Sequence, residues 1–217
     1  MITNNEYKNV VFVLDNIEEY DVMASHIPLD TFVFVIDSQK NALLQMENIV
    51  SDMPKLKSLH IFSHGNSGEL NFGSTKLSLE TLPIYSNTIL KLADALTKEG
   101  ELYLYGCEVA AGERGAAFVE MLGDITGLKV AAATHKVGHA ELGGSWELDM
   151  SATQMNNALA VSEWRGVLAG TPPTLQSISA SGKVIKLIFS EALDTNNVPT
   201  NDQFTINVNN ILLPTFT

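Results

Sequence analysis

The chain has one cysteine and five histidines in 217 residues, and Cys107 and His64 stand where thiol chemistry would put them. His64 follows the apolar run Ser58–Phe62 (SLHIF) after Ser63, and Cys107 follows Glu101–Tyr105 (ELYLY) after Gly106. A free thiol ionises near pH ~8.5, so only a few per cent is thiolate at neutrality. A neighbouring imidazole raises that fraction by taking or balancing the proton. The helical pattern at Glu113–Thr126 is expected to bring its positive end near Cys107 and favour thiolate further, while Glu108 opposes it. Gly106 is expected to let the chain turn without a side chain in front of the sulfur. Gly65 leaves room for a substrate and offers a backbone N–H to a developing oxyanion, together with that of Cys107. Taken singly, a lone cysteine is most often a small buried hydrophobe, and a loop histidine most often bonds backbone. His-Gly and Gly-Cys at two separate strand ends form the stronger signal.

Those ends belong to a regular alternation. Val10–Leu14, Thr31–Ile36, Ser58–Phe62 and Glu101–Tyr105 read as buried strands rich in branched and aromatic residues, with Leu128–Ala132 a weaker fifth. Helix-length segments lie between them at Glu18–His26, Gln39–Asp52, Ser86–Glu99 and Glu113–Thr126. Strand and helix in short alternation predict an α/β fold, with right-handed crossovers and a mostly parallel sheet covered on both faces. In such sheets the chemistry gathers at the carboxyl ends of the strands, where His64 and Cys107 fall. Two departures are expected: a hairpin over Glu69–Leu79 turning at Gly73-Ser74, and a strand at Gly143–Asp149 (GGSWELD). Composition changes at Thr171-Pro172-Pro173. The expected organisation is a domain over 1–168, a linker over 169–174, and a partial all-β segment over 175–217.

Net charge of −12 disfavours nucleic acid and anionic membrane surfaces as partners. A single cysteine forbids an intrachain disulfide and multi-thiolate zinc sites. His135 and His139 are four apart, but Gly138 and strand-like flanks predict a loop, so neither a metal nor another cofactor is expected. His60 is expected to face the helical layer, His26 to end a helix, and Trp164 to plug the core. No apolar run approaches the ~18 residues of a membrane span. The start MITNNEYKN shows no secretory pattern, which leaves the cytoplasm or export by another route.

The stretches HIFSHGNSGELNFGSTKL, LYLYGCEVAAGERGAAFV and GGSWELD, within about residues 8–168, resemble a bacterial domain of unknown function. That domain is found near the N-terminus of giant repeat-rich surface proteins. The two apolar-block motifs, one ending in His-Gly and the other in Gly-Cys, resemble the caspase-like (clan CD) cysteine peptidases. The resemblance implies a three-layer sandwich, a His64–Cys107 dyad acting on a peptide or protein, and secretion or cell-surface display on a bacterium. It also implies an orienting residue at Asp15 or Asn16, with a turn role for Asp15 as the alternative. The loop Thr134-His135-Lys136, continuing through His139, is implied to shape specificity. LIFSEALDTNNVPTNDQFTINVN resembles the start of an immunoglobulin-like adhesin repeat. The expected activity is thiol-dependent peptide hydrolysis, with self-cleavage somewhere in Arg165–Pro173 as its sharpest form. The alternative is a non-catalytic binding or secretion module.

Overall fold

A computed structural model describes residues 9–29, 31–151, 155, 157–169, 175–181, 184–189, 207–208 and 211–212. The chain divides into two compact units, Met1–Gly170 and Thr171–Thr217. Unit 1 contains β1 (Asn9–Leu14), α1 (Tyr20–Ser25), β2 (Thr31–Ile36), α2 (Ala42–Val50), β3 (Leu56–Phe62) and β4 (His64–Asn66). It continues with β5 (Glu69–Asn71), β6 (Lys76–Ser78), α3 (Leu82–Asp94), β7 (Leu96–Tyr105), α4 (Gly112–Thr126), β8 (Lys129–Ala132) and β9 (Met150–Ser151).

The central sheet has the order β2-β1-β3-β7-β8-β9, and every pairing is parallel except β8 with β9. The chain runs outward from β1 to β2, then crosses back over β1 to β3. That reversal makes a topological switch point between the carboxyl ends of β1 and β3, where open α/β sheets bind ligands.

The two faces of the sheet differ in chemistry because side chains alternate along each strand. Leu59, Ile61, Leu102 and Leu104 meet Leu43, Ile89, Leu92 and Leu122 of α2, α3 and α4. The opposite face carries Ser58, His60, Phe62, Tyr103 and Tyr105. Its rings stack in register: His60 on Tyr103 at 4.6 Å and Phe62 on Tyr105 at 4.2 Å. His60 therefore faces away from the α2–α4 layer, contrary to expectation. This second face is covered largely by chain returning after β8 rather than by a second row of long helices. Trp146 leans on Phe62, Tyr105 and Trp164. The N–H groups of Asn157 and Leu159 donate to the Tyr103 and Tyr105 hydroxyls at 2.8 and 2.6 Å. Trp164, 2% exposed, donates from its indole to the Glu18 carbonyl at 2.8 Å.

Three elements depart from expectation. The third helix is Leu82–Asp94 rather than Ser86–Glu99. Pro83 presets its first turn, and Leu96 is drawn into a ladder with Leu56, so β7 begins where the helix was expected to continue. Gly143–Asp149 forms no strand: only Ser145 bridges Val137, and the sheet's sixth strand is the short Met150–Ser151. The expected hairpin is present as β5 and β6, and β4 adds to it, so His64 opens a strand instead of lying in a loop. His26 caps the end of α1.

In unit 2, Leu175–Ser181 pairs antiparallel with Val184–Phe189, and Asn207–Val208 with Ile211–Leu212. Most of the linker expected over 169–174, and residues 190–206 of the expected all-β segment, lie outside the described residues. Among the described residues, no helix is long and apolar enough to cross a membrane.

Candidate functional site

The ends of β3 and β7 are locked together before either candidate side chain, His64 or Cys107, is reached. Phe62 pairs with Tyr105, and the Ser63 N–H continues the ladder to the Tyr105 carbonyl at 3.0 Å. Gly65 and Gly106 then pack backbone on backbone. A Cβ on Gly65 would lie 2.9 Å from the Cys107 carbonyl oxygen and from the Gly106 carbonyl carbon, and one on Gly106 would lie 3.1 Å from the Gly65 Cα. Gly106 thus serves close approach rather than a sharp turn. The left-handed conformation falls on the next residue but one, Glu108, at φ 60°. A non-glycine residue there is strained, and such strain gathers at functional sites.

His64 is held by β1's end. Its Nε2 lies 3.2 Å from the Asn16 backbone carbonyl. A carbonyl only accepts, so in the neutral ring Nε2 carries the proton and Nδ1 the lone pair. Nδ1 is buried without a hydrogen-bond partner among the described residues. It is an uncommitted base. The Asn16 contact comes from backbone, and the Asp15 carboxylate is occupied elsewhere, accepting the Ser38 N–H at 2.8 Å. The Asp15 carboxylate is thus tied to the chain just after β2, and the His64 contact comes from Asn16 instead.

The sulfur environment differs from the expected one. Cys107 is 2% exposed. Its Sγ accepts the Val137 N–H at 3.2 Å and lies 3.6 Å from the Val137 carbonyl. Burial pushes the thiol up to about 11, against the Val137 N–H, which favours thiolate; Glu108 adds to the rise, while Lys136 and the Leu168 N–H oppose it. The helix does not reverse this, because α4 begins only at Gly112 with Ala111 as its cap. The expected shift towards thiolate is thus reversed: burial favours the protonated thiol.

One oxygen ties these parts together. The Leu168 carbonyl accepts both the Gly65 N–H and the Cys107 N–H, each at 3.2 Å. The two N–H groups marked in the sequence as oxyanion donors therefore converge on a single carbonyl. Around it the chain from Gly166 to Ala169 is bound on two sides. The Leu168 N–H donates to the Val137 carbonyl at 2.8 Å, and the His139 N–H to the Gly166 carbonyl at 2.8 Å. Gly138 bridges Val167 antiparallel, and Gly65 bridges Ala169 in parallel. Gly138 is required here: at φ 138°, a Cβ would lie 2.3 Å from the Gly166 oxygen.

The loop after β8 contributes through residues just beyond those singled out in the sequence. Thr134 is tied by its N–H, at 2.7 Å, and its hydroxyl to the Asp149 carboxylate. Burial would raise that carboxyl, but the Thr134 bonds hold it below its ordinary value. His135 Nε2 lies 3.7 Å from Asp149, and Lys136 accepts the Ser145 N–H on its carbonyl. Thr134, His135 and Lys136 brace the loop, while Val137, Gly138 and His139 meet the 166–168 segment. His139 Nδ1 accepts the Glu141 N–H at 3.3 Å, so the two loop histidines are committed to different neighbours. Val137 and Leu168 went unmarked in the sequence. The available signal was Val-Leu-Ala directly after Trp164-Arg165-Gly166, an apolar run too short to read by itself.

Residues 10–167 match a family described as a domain of unknown function (DUF4347). No curated protein matches the chain. Among solved structures the chain is similar to one described as a small-chain dehydrogenase, at 13% identity and a TM-score of 0.30. That similarity covers 57% of this chain and 78% of the other, and is too slight to carry an argument.

Proposed function

The chain belongs to the DUF4347 family, and from that starting point we propose that this member is a caspase-like cysteine endopeptidase using Cys107 and His64. The observation that carries the reading is the convergence of the Gly65 and Cys107 N–H groups on one carbonyl oxygen. Two preorganised donors at one oxygen are what stabilises the tetrahedral intermediate of acyl transfer. In the proposed reaction the Cys107 thiol passes its proton to His64 Nδ1, and Sγ attacks the peptide carbonyl carbon. Gly65 and Cys107 hold the oxyanion, and His64 returns the proton to the departing amine. Water then cleaves the thioester, yielding a carboxylate and the free thiol. With the thiol pushed up to about 11, proton transfer accompanies attack instead of preceding it. The proposal extends to unit 2 as the start of an immunoglobulin-like repeat of a secreted or surface-displayed bacterial protein. The antiparallel pairings of its described strands support that reading.

The buried, protonated thiol also favours a second reading, a peptidase fold kept as a non-catalytic module. One experiment separates the two. Leu168→Asp places a charge at a fully buried position and should lift the 166–169 segment away from Val137 and Cys107, opening the site. In that background, iodoacetamide labelling of Cys107 at pH 7, followed by intact mass, should slow by roughly 10²-fold when His64→Ala is added. Equal labelling with and without His64 would leave only the non-catalytic module.

A further inference from the structure

We infer that the substrate is the chain itself, cut at the Leu168–Ala169 peptide bond; this rests on the peptidase reading above. The segment Gly166–Ala169 is held the way a peptide must be held to be cut, by main chain on both edges. On one edge Gly138 bridges Val167 antiparallel, with the Leu168 N–H donating to the Val137 carbonyl and the His139 N–H to the Gly166 carbonyl. On the other, Gly65 bridges Ala169, the residue just past the bond. Backbone pairing fixes the register of the segment, so one carbonyl among its residues is presented to the donor pair. That carbonyl is Leu168's. Its side chain is fully buried while Gly166, Val167 and Ala169 are only partly so, which makes Leu168 the residue read by a pocket. The Cys107 N–H donates to the Leu168 carbonyl, and Val137 joins the two residues from the side, its N–H donating to the Cys107 sulfur at 3.2 Å and its carbonyl accepting the Leu168 N–H, so Cys107 and the Leu168 carbonyl belong to one constellation.

The bond changes balance with water as the only co-reactant. Sγ–C forms at the Leu168 carbonyl carbon, and the C–N bond to Ala169 breaks. The thiol proton, carried by His64 Nδ1, leaves on the Ala169 nitrogen. Water then replaces sulfur, leaving a Leu168 carboxylate, an Ala169 ammonium and the regenerated thiol. The cut falls just before the boundary between the units, so it detaches unit 2 and leaves the core of unit 1 in one piece.

The test is to incubate the full chain at pH 7–8 in reductant, reading fragments by intact mass and N-terminal sequencing. The expected product begins at Ala169, its first-order rate unchanged across a ten-fold dilution because the reaction is within one molecule. Cys107→Ala and His64→Ala should stay whole, and Leu168→Asp should be cut at least about ten-fold more slowly, a loss of ~1.4 kcal/mol of transition-state stabilisation. Arg165→Ala, at an exposed position whose guanidinium meets Glu141, should be cut like the parent, which excludes a contaminating tryptic activity. Leu168→Met, similar in volume, should keep both fold and cleavage, so that loss in Leu168→Asp is not misread as unfolding. A chain that stays whole, or is cut at another bond, while His64-dependent labelling persists overturns the self-cleavage inference alone. Loss of His64 dependence overturns the peptidase reading and this inference with it.

Discussion

At the scale of single residues, the glycines of the site are as specific as its cysteine. Gly65 is needed because its missing Cβ lets the β3 end approach the β7 end closely enough for two N–H groups to share an oxygen. Gly65→Ala would place carbon 2.7 Å from Val109 Cγ2 and 2.9 Å from backbone atoms of Gly106 and Cys107. A side chain can yield but those backbone atoms sit at the end of a parallel ladder. The variant should lose about 1–3 kcal/mol in urea unfolding and also lose self-cleavage, because the Gly65 N–H is displaced from the Leu168 oxygen. Gly106→Ala meets its neighbours at 3.0 to 3.3 Å and should cost less. A larger loss for Gly106→Ala than for Gly65→Ala would contradict this account of the site. Both positions could be marked in the sequence because His-Gly and Gly-Cys each end an apolar run. The protonation state of Cys107 could not, since it depends on burial by Val137 and Leu168, which lie far along the chain.

At the scale of elements, the strand cores of β1, β2, β3, β7 and β8 were legible because branched and aromatic residues crowd them. The chemistry of the two sheet faces was less so: Ser58, His60 and Phe62 alternate with Leu59 and Ile61, but sequence alone does not say which set meets helices. GGSWELD alternates like a strand, yet Trp146 is used for packing on Tyr105, not for a ladder. The aromatic face has a consequence for acid stability. His60 is buried with its ring stacked on Tyr103, its Nε2 2.7 Å from Ser58 Oγ and its Nδ1 3.4 Å from the Tyr105 hydroxyl. Burial lowers its pKa to about 3. Below its unfolded value near ~6.5, the unfolded chain takes up a proton that the folded chain refuses. The stability His60 contributes is thus complete above about pH 6.5 and is lost as pH falls towards about 3, on the order of a few kcal/mol in all. His60→Phe keeps a ring in the stack and cannot protonate. The stability of the parent minus that of His60→Phe, from urea titrations at pH 7, 5.5 and 4, should therefore fall steadily with pH. A constant difference would mean that His60 titrates normally in the fold.

At the scale of unit 1, the site is completed from opposite ends of that unit. Asn16 follows the first strand, His64 and Cys107 follow two central ones, and Leu168 arrives last. The return of the chain is fastened by Trp164, whose indole bonds the Glu18 carbonyl across 146 residues of sequence. Such a contact repays its loop-closure entropy only once the sheet that carries both ends exists. Among the described residues, the 164–169 segment joins other chain by single bridges to Gly65 and Gly138; Gly65 lies in β4 directly after β3 and Gly138 in the loop after β8, so the sheet must first position both. The segment should therefore dock after the rate-limiting step of folding. Trp164→Ala removes a side chain that is 2% exposed and should cost about 3–5 kcal/mol. In a chevron plot that loss should fall on the unfolding arm, with folding slowed by less than about two-fold, since late contacts have low φ. Because the same segment presents Leu168 to Cys107, Trp164→Ala should also slow self-cleavage while leaving His64-dependent labelling of Cys107 intact or faster. A variant that folds much more slowly would place the returning segment in the folding nucleus. Its docking would then be an early structural clasp instead of the delivery of a substrate to a finished site.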